Sequence, residues 1–260
     1  MSPRWFGQEE VRPGVVIELE KRWRVLRRKE EHAFQGSEQD DPRWSGPSYA
    51  CIQLKVQQVG SRIIPPVNGY MRIYKQIPTE ETVADRPEVR AQQAKTVIPP
   101  ELDAYRQLMD KGSTFTPRLL DSMEQKQDIY SFVPGGFVVW IVTEEVSGVR
   151  LGNAVGNETF WSMEPFVREQ IRVSFKESFI KMTRWGWIPL YDRCSNLVWD
   201  ENSSTVFFVN WFQAIKLITP QAWTELRYSS SGLAKLPDTD TQDFRYSYSS
   251  FNGNTEGWEW

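Results

Sequence analysis

Two sets of side chains in this sequence have the types and spacing to do chemistry. One is the polar loop Leu190-Tyr191-Asp192-Arg193-Cys194-Ser195-Asn196, followed later by Asn210-Trp211-Phe212. The other is aromatic: Trp185, Trp187, Trp199, Trp211 and Phe212 crowd the same stretch. Such rings make flat apolar walls suited to a terpenoid or polyketide skeleton. Holding a flexible substrate in its reactive shape supplies several kcal/mol of a cyclisation or cycloaddition barrier, about 10 at best, with no cofactor. A hydrogen bond from Tyr191, Arg72 or Asn210 to a substrate carbonyl would add electrostatic help. The plain alternative for every one of these Trp residues is the core.

Other chemistry is narrowed by what is scarce. The only histidine is His32, so a Ser-His-Asp or Cys-His arrangement would have to use it. It falls in Glu30–Ser48, a polar stretch with Gly36, Pro42, Gly46 and Pro47 that reads as a flexible connection. Cys51 and Cys194 lie far apart and suggest neither a disulfide framework nor a metal cluster. The basic runs Lys21-Arg22-Trp23-Arg24 and Arg27-Arg28-Lys29 could contact phosphates with Trp23 stacking on a base. The alternative is a charged, solvated strand, and the net charge of -3 favours it. No nucleic-acid partner is expected. The start Met1-Ser2-Pro3-Arg4-Trp5 lacks a signal-like apolar core and no run is long enough to span a bilayer, so no membrane partner and a cytoplasmic location are expected.

The elements that must position these residues follow from periodicity. Val167, Ile171, Phe175, Phe179 and Met182 recur at helical steps and predict a helix over Arg168–Arg184, stopped by Trp185-Gly186-Trp187 and Pro189. Leu197–Trp199 and Val206–Val209, joined by Asp200–Ser204, read as a hairpin. Upstream, Val15–Arg28 reads as one strand or two, and Ala50–Val59 and Tyr70–Ile77 as strands. Pro99-Pro100 opens a helix carrying Glu101, Tyr105 and Leu108, which Gly112 ends. Ile129–Val133 and Phe137–Val142 read as a hairpin across Pro134-Gly135-Gly136, and Ala214–Leu226 as a helix broken by Pro220. Tyr228–Ser250 reads as loop or disorder. The aromatic end, Phe251–Trp260, either docks on the body or pairs with another chain.

A helix, a loop ending in Asn, a hairpin and a polar-aromatic pair resemble the catalytic centre of protein-kinase-like proteins, most of all the aminoglycoside/choline phosphotransferase-like proteins common in fungi. The resemblance covers roughly Ala50–Ala214. It implies an α+β, two-lobed fold: a small antiparallel-sheet lobe over 1–146 with one helix at about 99–111, a reduced, mainly helical lobe over 147–227, and a flexible or docked tail over 228–260. Thr143–Gly148 resembles the hinge between lobes. By that resemblance Asn196 is the loop's metal-binding Asn, and Asp192 is the base, one residue too close to Asn196. With the usual spacing kept, Tyr191 takes the base position. Asn210 replaces the second metal-binding Asp, and Trp211 the Phe after it. Arg72 stands at the phosphate-holding Lys and Glu101 at its helix partner. A guanidinium has another size and geometry than an ammonium, which favours a structural Arg72–Glu101 ion pair. No Gly-rich loop lies between the first two strands.

These departures leave three readings. An active phosphotransferase would need its metal and triphosphate compensated without a carboxylate at Asn210, and Arg72, Asn210 and the missing Gly-rich loop together argue against it. A pseudokinase scaffold would bind a protein partner, or a second copy, through its tail. A repurposed cleft would bind an apolar small molecule without cofactor or metal, as a step of secondary metabolism. The last is the expectation carried forward, with Tyr191, Asp192 and Arg72 as candidate catalytic groups. Its candidate ligand-binding residues are Glu101, Asn196, Asn210, Trp211, Trp187 and Trp199.

Overall fold

The computed structural model describes residues 5–37, 46–60, 65–237 and 251–260. Residues 38–45 of the expected polar connection, and 238–250 of the expected loop, lie outside the described residues. The chain separates into two compact units, one of Met1–Leu102 with Arg118–Glu145, the other of Asp103–Pro117 with Val146–Trp260.

The first unit is built on one antiparallel sheet. In chain order its elements are α1 (Gln8–Val11), β1 (Val16–Glu18), β2 (Arg22–Phe34), β3 (Tyr49–Val59), β4 (Asn68–Gln76) and α2 (Pro87–Ala91). Then come the start of α3 (Pro100–Asp110), β5 (Leu119–Lys126) and β6 (Phe137–Glu144). The strands lie in the order β1-β2-β3-β4-β6-β5. Alternation in β3 buries Ala50, Ile52, Leu54 and Val56 on one face. Register sets Ile52 against Ile73 and Leu54 against Met71, so the apolar face continues across strands. Trp5, Phe6 and Val11, from the start of the chain, belong to this core. Lys75 shares the face with its ammonium satisfied by Glu10 Oε1 at 2.7 Å and lying 4.7 Å from the Phe6 ring centroid.

Two expectations are corrected here. His32 does not sit in a loop. β2 runs on to Phe34 and pairs His32 with Cys51, because a charged strand is stable when its ladder is complete and a face is wet. Nor is Ile129–Val133 a strand. Asp128 Oδ1 accepts the Tyr130 N–H at 2.8 Å and the Ser131 hydroxyl at 3.0 Å, a local turn that competes with a ladder. The partner of β6 is β5, with Met123 opposite Trp140.

The second unit holds the rest of α3, then β7 (Val149–Arg150), α4 (Glu158–Trp161), α5 (Pro165–Arg184) and β8 (Trp187–Ile188). After these come β9 (Leu197–Asp200), β10 (Thr205–Phe208), β11 (Ile215–Lys216) and α6 (Leu226–Ser231). α5 is the expected helix, one turn longer, with Pro165 in its first turn. Ile171, Phe175, Phe179 and Met182 are fully buried along it. Gly186 ends it at φ 86°, a conformation glycine adopts freely, its N–H reaching Thr183 O at 3.0 Å. β9 and β10 form the expected hairpin, Leu197 opposite Phe208. The helix expected over Ala214–Leu226 is replaced by β11, which pairs Ile215 with Ile188, and by irregular chain up to α6. The aromatic end docks: Lys235 and Glu259 form a bridge, and the Trp260 ring meets Tyr228 edge-on at 5.8 Å. Among the described residues no helix is long and apolar enough to cross a membrane.

Candidate functional site

Each expected site residue is placed by a simple rule of its element. Arg72 and Tyr74 are two apart on β4 and share the sheet face opposite Ile73. Glu101 comes from the first turn of α3. Arg72 Nη1 donates to Glu101 Oε1 at 2.6 Å, and the Tyr74 hydroxyl donates to Glu101 Oε2 at 2.6 Å. Both carboxylate oxygens are thus engaged, and only 6% of the Glu101 side chain is exposed. Burial works against the Arg72 charge, but the Glu101 carboxylate outweighs it and holds the guanidinium protonated. Burial, reinforced by Glu101, raises the Tyr74 phenol well above its usual range. Burial likewise pushes the neighbouring Cys51 thiol up to about 12, so it is no nucleophile at neutral pH. Tyr74 was missed by sequence reading, although its two-residue spacing from Arg72 signals the shared face.

In the second unit the hairpin gathers three expected residues at one end. Leu197 pairs with Phe208, and Val209 N donates to Asn196 O at 3.0 Å, which places Asn196 and Asn210 at the same end of the hairpin. The Asn196 amide donates to Tyr191 O at 3.1 Å, and Asn210 Oδ1 accepts the Phe212 N–H at 3.3 Å. Both amides shape their own loops, as Asn commonly does in turns. Tyr191 is exposed. Asp192 is half-buried, with Arg227 and Ser231 of α6 among its polar surroundings. Burial raises its carboxyl above the usual range, with the Arg227 charge opposing. The Cys194 thiol is pushed up to about 12, chiefly by burial. No group of three or more His, Cys, Asp or Glu side chains placed to hold a metal ion occurs among the described residues.

The aromatic set divides. Trp187 is buried with its indole N–H on Gln107 Oε1 at 3.1 Å. Trp211 is fully buried, its N–H on Phe208 O at 2.8 Å and its ring 6.1 Å from that of Tyr105. Both belong to the core, which corrects their reading as pocket walls: an indole with a partner for its N–H is a good core residue. Trp185 stacks on Phe115 at 5.4 Å. Trp199 differs. It is 3% exposed, its indole N–H is buried without a partner, and it lines a groove of about 350 Å³ on the second unit. Its other walls include Phe115, Ser204 and Thr205 and, from α5, both apolar residues such as Phe166 and Val173 and the charged Glu177 and Lys181. Sequence reading did not foresee this groove. Trp23 is fully buried as well, donating to Asp121 Oδ2 at 2.9 Å, and so offers no ring to a nucleic-acid base.

No protein-family model and no curated protein matches this chain. Solved structures do. The BubR1 kinase domain is 10% identical, with 80% of this chain and 52% of that chain covered and a TM-score of 0.46. The Cydia pomonella granulovirus kinase PK-1 is 10% identical, with 77% and 55% covered and a TM-score of 0.43. WaaP, in a complex with acyl carrier protein, is 14% identical, with 69% and 64% covered and a TM-score of 0.40. This chain therefore spans 52–64% of the length of these structures. The fold itself is α+β, with an antiparallel sheet and a few helices.

Proposed function

We propose that this chain is a non-phosphorylating kinase-fold protein that works by binding an apolar small molecule. The observation that carries the first half is the closed Arg72–Glu101–Tyr74 cluster, in which both Glu101 oxygens are already taken at 2.6 Å. The guanidinium so held is also enclosed, with only 12% of the Arg72 side chain exposed, so little of it is open to grip a phosphate. Asn196 and Asn210 spend polar atoms on their own loops and bring no carboxylate to a metal.

The second half is supported by the groove beside Trp199, whose volume of about 350 Å³ sits at the low end of the range for ligand pockets. With Trp187 and Trp211 in the core, the proposal extends to binding, not to a cyclisation on those rings. The scaffold reading is weakened, because the aromatic tail it would use is docked on α6.

Thermal unfolding with Mg-ATP and, separately, with neutral polycyclic ketones tests both halves. A ketone should stabilise the protein in proportion to the logarithm of its concentration, by about 2.7 kcal/mol at a hundredfold excess over Kd. Mg-ATP should leave the transition unchanged. A magnesium-dependent shift that grows with ATP concentration would overturn the proposal.

A further inference from the structure

Resting on that reading, we infer that the groove along α5 is the binding site, and that it takes a flat, neutral molecule carrying a carbonyl. The argument starts from unmet polar groups. Trp199 is 97% buried and its indole N–H has no partner. Ser178 is 94% buried and lines the same groove. A buried donor without a partner is costly, and one on a groove wall is expected where an acceptor from outside completes it. Ser174, also on the groove, uses its oxygen to accept the Val206 N–H at 2.9 Å and keeps its proton to donate. The Trp199 indole and the Ser174 hydroxyl ask for an acceptor.

The rest of the lining sets the ligand's shape and charge. Phe115, Phe166, Val173 and Trp199 supply apolar surface, and Phe166 is 73% exposed, an unusual state for so large a side chain. Glu177 and Lys181 stand on the groove with opposite charges, and Glu169 is held by the Arg172 guanidinium at 2.9 Å. The groove thus offers a phosphate or polycarboxylate no net positive charge, whereas a ketone, lactone or amide oxygen meets its donors without needing one.

The test uses the full chain, labelled with nitrogen-15, and reads the tryptophan indole resonances, that of Trp199 being assigned with Trp199→Phe. The probes are neutral aryl ketones and lactones, their matched hydrocarbons, and aromatic carboxylates. The ketones should move the Trp199 resonance saturably, and the hydrocarbons should bind about tenfold more weakly, the worth of one hydrogen bond. Val173→Lys should abolish the shift while the protein stays folded, since Val173 is 47% exposed. If ketones stabilise the protein but leave the Trp199 resonance unmoved, this site is wrong and the small-molecule reading survives. If no probe binds at all, both are wrong. Equal binding by the carboxylates overturns the ligand class. A dimer in the untreated protein that Val173→Lys dissociates would show a second copy in the groove and overturn the site.

Discussion

Arg72 Nη1 and Glu101 Oε1 lie 2.6 Å apart, and the second oxygen of Glu101 is closed off by the Tyr74 hydroxyl. A buried ion pair completed by a third group has a structural signature that a ligand-gripping pair lacks: the two charges can be removed together at little cost, but not singly. Glu101→Ala, which strands the Arg72 charge, is expected to cost about 3–5 kcal/mol, and Arg72→Met with Glu101→Leu only about 1–3 kcal/mol, for the Tyr74 hydroxyl that loses Glu101. Urea unfolding of the three proteins measures this. A double variant as unstable as the single one would show that the pair has a role beyond mutual neutralisation.

Tyr74 makes the same cluster sensitive to alkali. Burial, and then the Glu101 charge, raise its phenol above the ordinary value of 10.0, so the folded state keeps a proton that the unfolded state gives up. Stability from this group is complete below pH 10 and falls as pH rises beyond it. The buried thiols Cys51 and Cys194, raised from 9.0 to about 12, act in the same direction. Unfolding free energy should therefore decline from about pH 9 upward, and less steeply in Tyr74→Phe. An identical slope in the variant would remove Tyr74 from the account.

Asp192 offers a contrast between a base and a misplaced charge. Its carboxyl is raised by burial, more than Arg227 lowers it. Its folded form holds a proton better than its unfolded form, so its stabilising contribution is present below pH 3.8 and lost as pH rises through the folded value. At pH 7 the ionised group is a net cost, and Asp192→Asn should raise the urea midpoint there but not at pH 3. A lower midpoint at pH 7 would mean that Arg227 holds Asp192 as a stabilising pair.

How much of this could be read beforehand depends on where the information sits. α5 was legible because one stripe from Ile171 to Met182 carries it, and the Leu197–Phe208 hairpin because its two strands are joined by a short turn. The Arg72–Glu101 pair was legible only through resemblance. β11 was not, since two residues, Ile215 and Lys216, become a strand only by pairing with the distant Trp187 and Ile188. Nor could composition divide the tryptophans. Trp211 and Trp199 are equally buried types, and the difference lies in whether Phe208 or nothing receives the N–H. The groove is illegible for the same reason, because residues as far apart as Phe115 and Thr205 build it.

The docked end of the chain gives the last prediction. Trp258 is 9% exposed and Trp260 36%, and they stack at 5.5 Å. Trp260 also lies 5.5 Å from the buried Arg172 guanidinium, which Glu169 and Leu233 O satisfy. By contrast the Lys235–Glu259 pair is half exposed on both sides. Surface pairs contribute about 0–1 kcal/mol, whereas truncating a buried aromatic costs about 3–5 kcal/mol. Trp258→Ala should therefore destabilise the second unit severely and Lys235→Ala hardly at all, with salt affecting neither strongly. Limited proteolysis should cut the end of the chain faster in Trp258→Ala than in the parent protein. Equal cutting rates would mean that the end of the chain is held by its backbone bridge to Lys235 and not by its rings.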